Sequence, residues 1–482
     1  MLIFFLPLFL LLLMIGVPVF FAMLAAPGIM LYADGSTRDI ALLFRNIYNG
    51  MDSFPLMAIP FFMLAGELMN RGGITNRLVD FAQVLIGHIR GGLAQVNILS
   101  SMLFAGLSGS AVADTSALGS MLIPAMEREG YTRRFAAAVT AASSVIGPII
   151  PPSGIMIIYA YVMEVSVAAL FAGGILPGIL VGLGLMSVTH FLAIKYDFPV
   201  AKRSGDQTAQ VSTLEAILVR FILHMVVVLL FALGSIGVIT ALICIAVIEG
   251  LRLLIRTLFP VPFKSALKRA ILPLLTPVII LGGILGGVFT PTEASSIAAF
   301  YALVLGLLVM GTVKLNDIPE IFTRAAISSA VVLLLVGVAI AFKTAVSLSH
   351  AATQMAEFVL TLSQNPLVLL FLINILLFIV GMFLDAGPAI IILGPILGPI
   401  FVELGVHPVH FAMIMSVNLT VGLATPPMGL VLFVASSVSG ERIENISKSI
   451  LPFLAVEFFV ILLITFVPAI SLAIPRALGL IV

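Results

Sequence analysis

The sequence predicts an all-α polytopic membrane protein, built from inverted repeats that each contain a re-entrant helical hairpin and a broken helix. Of its 482 residues, 61% are hydrophobic and only 9% are charged, whereas about a quarter of the residues in soluble domains are charged. The mean hydropathy is +1.26. A net charge of +1 and a single cysteine argue against a nucleic-acid partner, a disulfide framework and a cysteine-rich metal site.

Apolar segments long enough to form membrane helices recur along the whole chain. Residues 1–33 carry no charge, which predicts a retained first helix, because a cleaved signal would begin with basic residues. Residues 75–89 are amphipathic and fit either a short span or an interfacial helix. The other apolar segments are 54–70, 92–126, 134–165, 166–194, 216–255, 270–289, 292–311, 321–346, 366–400, 409–438 and 449–474.

Lys and Arg are concentrated in six connecting segments. These segments hold 17 of the 23 basic residues, and the positive-inside rule places them on the cytoplasmic side. They are 33–52, 127–134, 195–215, 252–269, 312–324 and 441–448.

The chain contains an internal repeat. Residues 106–154 align with 381–429 without gaps and share 12 identities, against roughly 4 expected by chance from this composition. Eight of the twelve are Gly or Pro, so the repeated feature is a pattern of backbone breaks. The loop in the first copy, 127–134, has three arginines, whereas its counterpart, 402–409, has no Lys or Arg. The two loops are therefore predicted on opposite faces of the membrane, which makes the repeats inverted.

Each copy predicts a hairpin followed by a broken helix. Small polar residues interrupt the hairpins at 106–116 and 381–388. Residues before proline leave the α conformation, so Ile150 and Thr425 are expected to be non-helical. Such breaks present carbonyl groups to a cation and amide groups to an anion. The prolines assigned to the breaks are Pro151, Pro152, Pro388, Pro426 and Pro427.

Six of the charged residues in or beside the apolar segments are candidates for a functional role. Asp114 and Asp385 lie in the hairpins, where either could line an ion or substrate path or cap a hairpin tip, and both alternatives stay open. Glu293 completes a capping-box pattern. Glu67 and Glu164 lie at the ends of spans and Lys343 can extend towards the interface, and none of the three receives a site assignment.

Five motifs together resemble the large membrane subunit of tripartite ATP-independent periplasmic (TRAP) transporters, of the DctM-like or SiaM-like type. The resemblance covers nearly the whole chain. It implies a bacterial inner-membrane protein, not an enzyme, with an elevator-type ion-transporter fold that takes up a small organic acid with sodium. The motifs are FPLMAIPFFMLAGEL at 54–68, GLSGSAVAD at 106–114, IGPIIPPS at 146–153, GVFTPTEA at 287–294 and NLTVGLATPP at 418–427.

The resemblance also implies partners. These are a small four-helix TRAP membrane subunit, a periplasmic substrate-binding protein, a small carboxylate substrate and membrane lipid. No cofactor is expected apart from Na⁺ as the coupling ion and the only metal.

Site residues are carried over by motif. The hydroxyl and amide side chains at the hairpins and breaks are the candidate substrate contacts, namely Ser108, Ser110, Ser153, Asn418 and Thr420. The sodium ligands implied by the resemblance, most of them through carbonyl oxygens, are Ser108, Gly109, Ser110, Gly147, Ile150, Asp385, Gly387, Gly422 and Thr425.

The predicted domain organisation alternates scaffold and transport segments. Scaffold and arm helices occupy 1–91, the first transport half 92–165, further scaffold helices 166–365, the second transport half 366–438 and a C-terminal helix 439–482. The apolar stretch at about 216–258 is longer than the resemblance leads us to expect and predicts an inserted helical hairpin.

Three alternatives remain at the level of sequence. A stand-alone ion-coupled carboxylate carrier would work without a binding protein, and a channel would lack stoichiometric coupling. An intramembrane enzyme has no supporting motif, because the chain lacks H-E-x-x-H, G-x-S-x-G and P-loop patterns.

Overall fold

The structure is a computed structural model that describes residues 5–198, 261–348 and 361–481, apart from residues 34, 36, 362 and 364. The predicted inserted hairpin at about 216–258 lies outside the described residues. Within them the chain forms helices and contains no β-strand, as the composition predicts.

The described residues form nineteen α-helices. In chain order they are α1 (Phe5–Met14), α2 (Val19–Ala33), α3 (Thr37–Met51), α4 (Ala58–Arg71), α5 (Ile74–Ile86), α6 (Gly92–Ser108), α7 (Ala111–Arg128), α8 (Arg133–Ser144), α9 (Gly154–Met163), α10 (Val167–Lys195), α11 (Val261–Leu285), α12 (Pro291–Val304), α13 (Ile318–Leu348), α14 (Pro366–Phe383), α15 (Ala386–Glu403), α16 (Pro408–Gly422), α17 (Leu430–Ser439), α18 (Ile443–Phe466) and α19 (Ala469–Ala477).

The internal repeat is preserved residue by residue. Helices α7 and α15 have the same length and begin 275 residues apart. The residues that precede them, Ser110 and Asp385, are both N-caps, and the loops that follow each contain a glycine with positive φ. The double prolines 151–152 and 426–427 both have cis peptide bonds. Helices α6–α9 and α14–α17 are therefore two copies of one hairpin and broken-helix unit.

The two copies pack reciprocally. Helix α7 of the first copy contacts α17 of the second, and α15 of the second copy contacts α9 of the first. Each hairpin thus rests on the second half-helix of the other copy, as expected for inverted repeats around a shared central site. Helix α18 covers both units, because it packs against α8 and α16.

Seven of the described helices are long and apolar enough to cross a bilayer. An eighth span is possible where residues 40–51 and 54–71 form a pair bent by 54°. The break in this pair lies at Asp52 and Ser53 and was not predicted from the sequence.

The bent pair corrects one part of the predicted topology. Asn46 on α3 donates a hydrogen bond to Thr344, and Arg71 at the end of α4 bonds to Glu320. The pair therefore runs antiparallel to α13, and its beginning lies at the opposite end of α13 from segment 312–324. Placing both 33–52 and 312–324 on the cytoplasmic side was wrong, because residues 37–51 form a helix beside the far end of α13 rather than a loop.

The capping box at α12 is present as predicted. Thr290 Oγ1 accepts a bond from the backbone N–H of Glu293, while a carboxylate oxygen of Glu293 accepts the backbone N–H of Thr290 at 2.8 Å. Glu293 therefore has a structural role at the start of a helix.

Candidate functional site

The tip of the first hairpin is a two-residue turn. Helix α6 ends at Ser108, and the next residue, Gly109, has a φ of +59°, which favours glycine. Ser110 then caps α7 by accepting a bond from the N–H of Ala113. The preceding hydroxyl, Ser108 Oγ, donates a hydrogen bond to Asp114 Oδ1. Three predicted site residues thus form the tip, and one of them holds Asp114.

The first break separates α8 from α9. No helix is assigned between Ser144 and Gly154, so Ile150 is non-helical as predicted. Ser153 Oγ donates to the carbonyl of Pro148 at 2.6 Å, and the same oxygen accepts the N–H of Met156 at the start of α9. Ser153 therefore fixes both sides of the break.

The hairpin tip and the break meet. A Cβ placed on Gly109 would lie 3.0 Å from the carbonyl oxygen of Pro152, and a Cβ placed on Gly147 would collide with Asp114 Oδ2. The carbonyl oxygen of Ser144 lies beside the same point. The carboxylate of Asp114 consequently projects into the break of the neighbouring helix.

Asp114 is the unusual member of this group. It is fully buried, and Oδ2 has no hydrogen-bond partner among the described residues. A buried carboxylate oxygen without a donor is costly unless a cation or a proton neutralises it. Carboxylate, hydroxyl and carbonyl oxygens are the ligands that hard cations prefer. No group of three or more His, Cys, Asp or Glu residues suited to a transition metal occurs in the described part of the chain.

Polar side chains attach the first hairpin to α8. Asn97 Nδ2 donates to Thr140 Oγ1 at 2.6 Å, and Ser101 Oγ donates to Ser143 Oγ at 2.9 Å. All four residues are fully buried. These bonds fix the distance between hairpin and broken helix, which the predicted site requires.

The second hairpin turns at Leu384 and Asp385. The carboxylate of Asp385 accepts the N–H of Ala386 at 2.8 Å, and the residue is exposed. The position supports the capping alternative for Asp385 and separates it from Asp114. Pro388 lies within the first turn of α15, where a missing N–H leaves no bond unmade. The turn therefore falls before Pro388 and not at it.

Backbone contact joins the second hairpin to α16. A Cβ on Gly422 would lie 2.6 Å from the carbonyl carbon of Gly381, and a Cβ on Gly381 would lie 2.7 Å from the carbonyl oxygen of Leu419. Only glycine fits at both positions. Gly387 faces across the repeat boundary, because the atom nearest to a Cβ there belongs to Ile158 on α9, at 3.8 Å.

The polar residues around the second break bond mainly within the protein. Thr425 is non-helical as predicted, and its Oγ1 donates to the carbonyl of Val421. Thr420 Oγ1 donates to the carbonyl of Ser416 at 2.5 Å. Asn418 Nδ2 donates to Asn374 Oδ1 at 2.6 Å. This bond joins α16 to α14, as the bonds of Asn97 and Ser101 join α6 to α8 in the first copy. The side-chain donors of Thr425, Thr420 and Asn418 are thus already used.

Two features were missed from the sequence. Glu457 on α18 is fully buried, and neither of its carboxylate oxygens has a hydrogen-bond partner among the described residues. The sequence feature that could have identified Glu457 is its position as the one acidic residue in the apolar segment 449–474. The second feature is the ion pair of Lys343 with Glu164, at 2.9 Å and 179 residues apart, for which sequence spacing gives no signal.

A family model described as the DctM component of the tripartite ATP-independent periplasmic transporters matches residues 6–259 and 232–470. The chain is 36% identical to the sialic acid TRAP transporter large permease protein SiaM of Vibrio cholerae, over 96% of each chain. It is 35% identical to the C4-dicarboxylate TRAP transporter large permease protein DctM of Pseudomonas aeruginosa, over 94% of this chain and 92% of the relative.

The 2,3-diketo-L-gulonate TRAP transporter large permease protein YiaN of Escherichia coli is 32% identical over 94% of each chain. Among solved structures, the YdaH transporter of Alcanivorax borkumensis, described as having an unusual topology, superposes with a TM-score of 0.60 at 16% identity. The superposition covers 89% of this chain and 88% of that one. At this identity the likeness concerns the fold alone.

Proposed function

Because the chain belongs to the DctM family and is the large permease subunit of a TRAP transporter, we propose that it carries a small organic acid anion into the cell with Na⁺. Permeases of this family are multi-pass inner-membrane proteins and not enzymes. Sodium coupling, the nature of the anion and the mode of movement belong to the proposal.

The observation that carries sodium coupling is the environment of Asp114. Its Oδ2 is buried without a partner among the described residues and points at Gly147 in the first break. A monovalent cation at this point would interact with the negative charge of the Asp114 carboxylate and with the carbonyl oxygens at the end of a helix. The other predicted ligands of this copy, Ser108 to Ser110 and Ile150, lie in the same tip and break. Na⁺ fits this donor set of hard oxygen atoms.

The substrate class rests on the relatives. Their names specify sialic acid, C4-dicarboxylate and 2,3-diketo-L-gulonate, each of which carries a carboxylate. The N-termini of the half-helices α9 and α17 supply amide groups and positive dipole ends of the kind that bind carboxylates. Ser108, Ser110 and Ser153 lie beside the first of these ends. The hydroxyls of Ser108 and Ser153 donate to Asp114 and to Pro148, so we propose Ser110 as the residue of this set that donates to substrate.

The proposed movement is that of an elevator. The two repeat units interlock through α7 with α17 and α9 with α15, so they form one body that can shift as a whole. The bent span α3–α4 packs against α12 and α13 and forms the static part. Sodium and substrate bound in the breaks would cross the bilayer with the moving body.

The proposal includes two partners. TRAP large subunits act with a small membrane subunit and a periplasmic binding protein. For this chain we propose both as separate proteins. An isethionate TRAP permease named DctMQ, from Oleidesulfovibrio alaskensis, matches 96% of this chain with only 65% of its own length.

The test is uptake into proteoliposomes that contain the chain with its small subunit and binding protein. Sialic acid, a C4-dicarboxylate and 2,3-diketo-L-gulonate are offered under an inward sodium gradient, and in parallel under an inward proton gradient without sodium. We expect saturable uptake of one anion that requires the sodium gradient and the binding protein. Uptake that persists without sodium would refute coupling, and uptake that persists without the binding protein would favour the stand-alone carrier.

A further inference from the structure

A cavity of about 670 Å³ lies apart from the hairpins and breaks. Its walls come from α3 and α13 on one side and from α9 and the start of α10 on the other. Helix α9 is the second half of the first broken helix, whereas α3 and α13 lie outside the repeats. The cavity is therefore bounded both by the proposed moving body and by the proposed static part.

One ion pair crosses this cavity. Lys343 Nζ on α13 donates hydrogen bonds to Glu164 Oε1 and to the carbonyl of Val162, both at 2.9 Å. Among the lining residues that the structure describes, Lys343 is the only base and Glu164 the only acid. The hydrogen bond and charge of Lys343 lower the pKa of Glu164, which is therefore ionised at neutral pH. Lys343 also interacts with the C-terminal end of α9, where a cation is favoured.

The two side chains of this ion pair differ in their exposure to solvent. The side chain of Glu164 is 81% exposed, whereas that of Lys343 is 37% exposed. Ion pairs this exposed are weak, because water competes with the contact. Another carboxylate that enters the cavity can therefore replace Glu164 without leaving a buried charge unpaired.

Neutral groups beside Lys343 can hold the remainder of such an anion. The hydroxyls of Tyr161 and Ser347 line the cavity, and so does Asn46, whose Nδ2 has a second hydrogen beside the one that it donates to Thr344 Oγ1 at 2.8 Å. Amide and hydroxyl groups bind the hydroxyl and carboxyl oxygens of small organic acids. Apolar residues complete the walls, as in most small-molecule sites.

The cavity lies towards one end of α13. Lys343 is 19 residues from Arg324, which corresponds to about 29 Å along the helix. The loop at 127–134, with three arginines, is predicted on the cytoplasmic side, and the broken helix α8–α9 runs from this loop to Glu164. The cavity therefore lies near the periplasmic face. An anion delivered from the periplasm would meet it before the breaks at mid-depth.

We propose that this cavity is a first docking site for the carboxylate of the incoming anion, and that the anion displaces Glu164 from Lys343. Lys343 has one carboxylate partner before and after the exchange, so the charge balance is conserved, and Glu164 passes into water. The exchange removes a tether between α9 and α13. Arrival of the anion thereby releases the moving body from the static part. The inference rests on the proposed function, since it concerns the route of the same anion.

The direct test measures the accessibility of Lys343 to an amine-reactive reagent in the full-length chain in lipid nanodiscs. Succinate serves as the carboxylate probe, its neutral diamide as the chemical control, and the exposed Lys314 as the internal control. We expect millimolar succinate to slow labelling of Lys343 several-fold, and the diamide to have no effect. Equal labelling with succinate and diamide would overturn the proposal.

Two variants distinguish displacement of Glu164 by the anion from a purely structural role of the Lys343–Glu164 ion pair. Glu164→Gln removes the competitor, so succinate should protect Lys343 at about two- to fivefold lower concentration, the range expected from an exposed ion pair. In uptake assays Glu164→Gln should lower KM, whereas Lys343→Met should raise it about tenfold, as for the loss of one charge-assisted contact. If the ion pair had only a structural role, both variants would shift KM in the same direction.

The matched control is Glu127→Gln, which breaks a similarly exposed pair with Arg133 far from the cavity and should leave KM unchanged. Sodium-driven uptake without protection of Lys343 would refute the docking site and leave the proposed function standing. Protection of Lys343 in a chain that shows no sodium-driven uptake would instead refute the proposed function.

Discussion

Replacing Asp114 by Asn removes one negative charge from the junction of the first hairpin and the first break, with almost no change of shape. Asn retains an oxygen that can accept the bond from Ser108 Oγ. The variant therefore isolates the charge on Oδ2, the atom that lacks a partner among the described residues.

The structure sets the expected size of the effect. A hydrogen-bonded or coordinated contact to a charged group contributes about 1.5–3 kcal/mol, so loss of the charge at Asp114 should weaken sodium binding roughly ten- to a hundredfold. Without sodium the effect of the substitution on stability has the opposite sign, because an unpaired buried carboxylate destabilises the fold. The Asn variant should then be at least as stable as the parent chain.

Thermal unfolding of the full-length chain in sodium and in choline measures both effects. Sodium at a hundred times its dissociation constant adds about 2.7 kcal/mol to the stability of the parent chain. This gain should fall to about 0.4–1.4 kcal/mol in Asp114→Asn, because the weaker affinity leaves sodium at only about one to ten times the dissociation constant of the variant. It should remain about 2.7 kcal/mol in Asp385→Asn, whose carboxylate caps α15. An Asp114→Asn variant that keeps the full sodium response, or that is markedly less stable in choline, would refute the reasoning.

Glycine contacts give two further paired tests. Gly147→Ala places a methyl group against the Asp114 carboxylate and should raise the sodium concentration for half-maximal stabilisation, whereas Gly154→Ala, whose Cβ meets no atom within 4 Å, should not. The same sodium titration measures both, and equal responses would contradict the contact. Gly422→Ala drives a methyl group into the backbone of α14 and should cost about 1–3 kcal/mol of unfolding free energy. Gly282→Ala, in open space on α11, should be neutral or stabilising by up to about 1 kcal/mol, and a Gly422→Ala chain that unfolds at the parental temperature would contradict the packing.

The repeat architecture could be predicted because it is encoded locally. Gly and Pro impose backbone shape wherever they stand, so the matched prolines at 151–152 and 426–427 placed both breaks correctly. The same logic failed for α3, which was predicted to be a loop although its apolar residues at 40, 43, 44, 47, 48 and 51 have the spacing of an amphipathic helix. Its position beside α13 depends on packing between distant segments, which is a tertiary effect.

The candidate site was predictable in its segments but not in its contacts. The tip at Ser108 to Ser110 and the break at Gly147 were both assigned, yet their approach through Asp114 depends on how α7 packs on α8. Asp114 and Asp385 were given the same two alternatives because both lie in hairpins, although the gapless alignment pairs Asp385 with Ser110 and Asp114 with Ala389. The structure agrees with the alignment, because Asp385 is an N-cap like Ser110 and Asp114 has no acidic counterpart in the second repeat.

The most direct test of the account is equilibrium binding of radiolabelled sodium to the purified full-length chain, without substrate or partner proteins. The arrangement of Asp114 at the first break predicts saturable binding that unlabelled sodium displaces, that potassium does not, and that Asp114→Asn weakens at least tenfold. Absence of saturable binding, or binding that the Asn variant retains unchanged, would contradict the assignment of this junction as the site of the coupling ion.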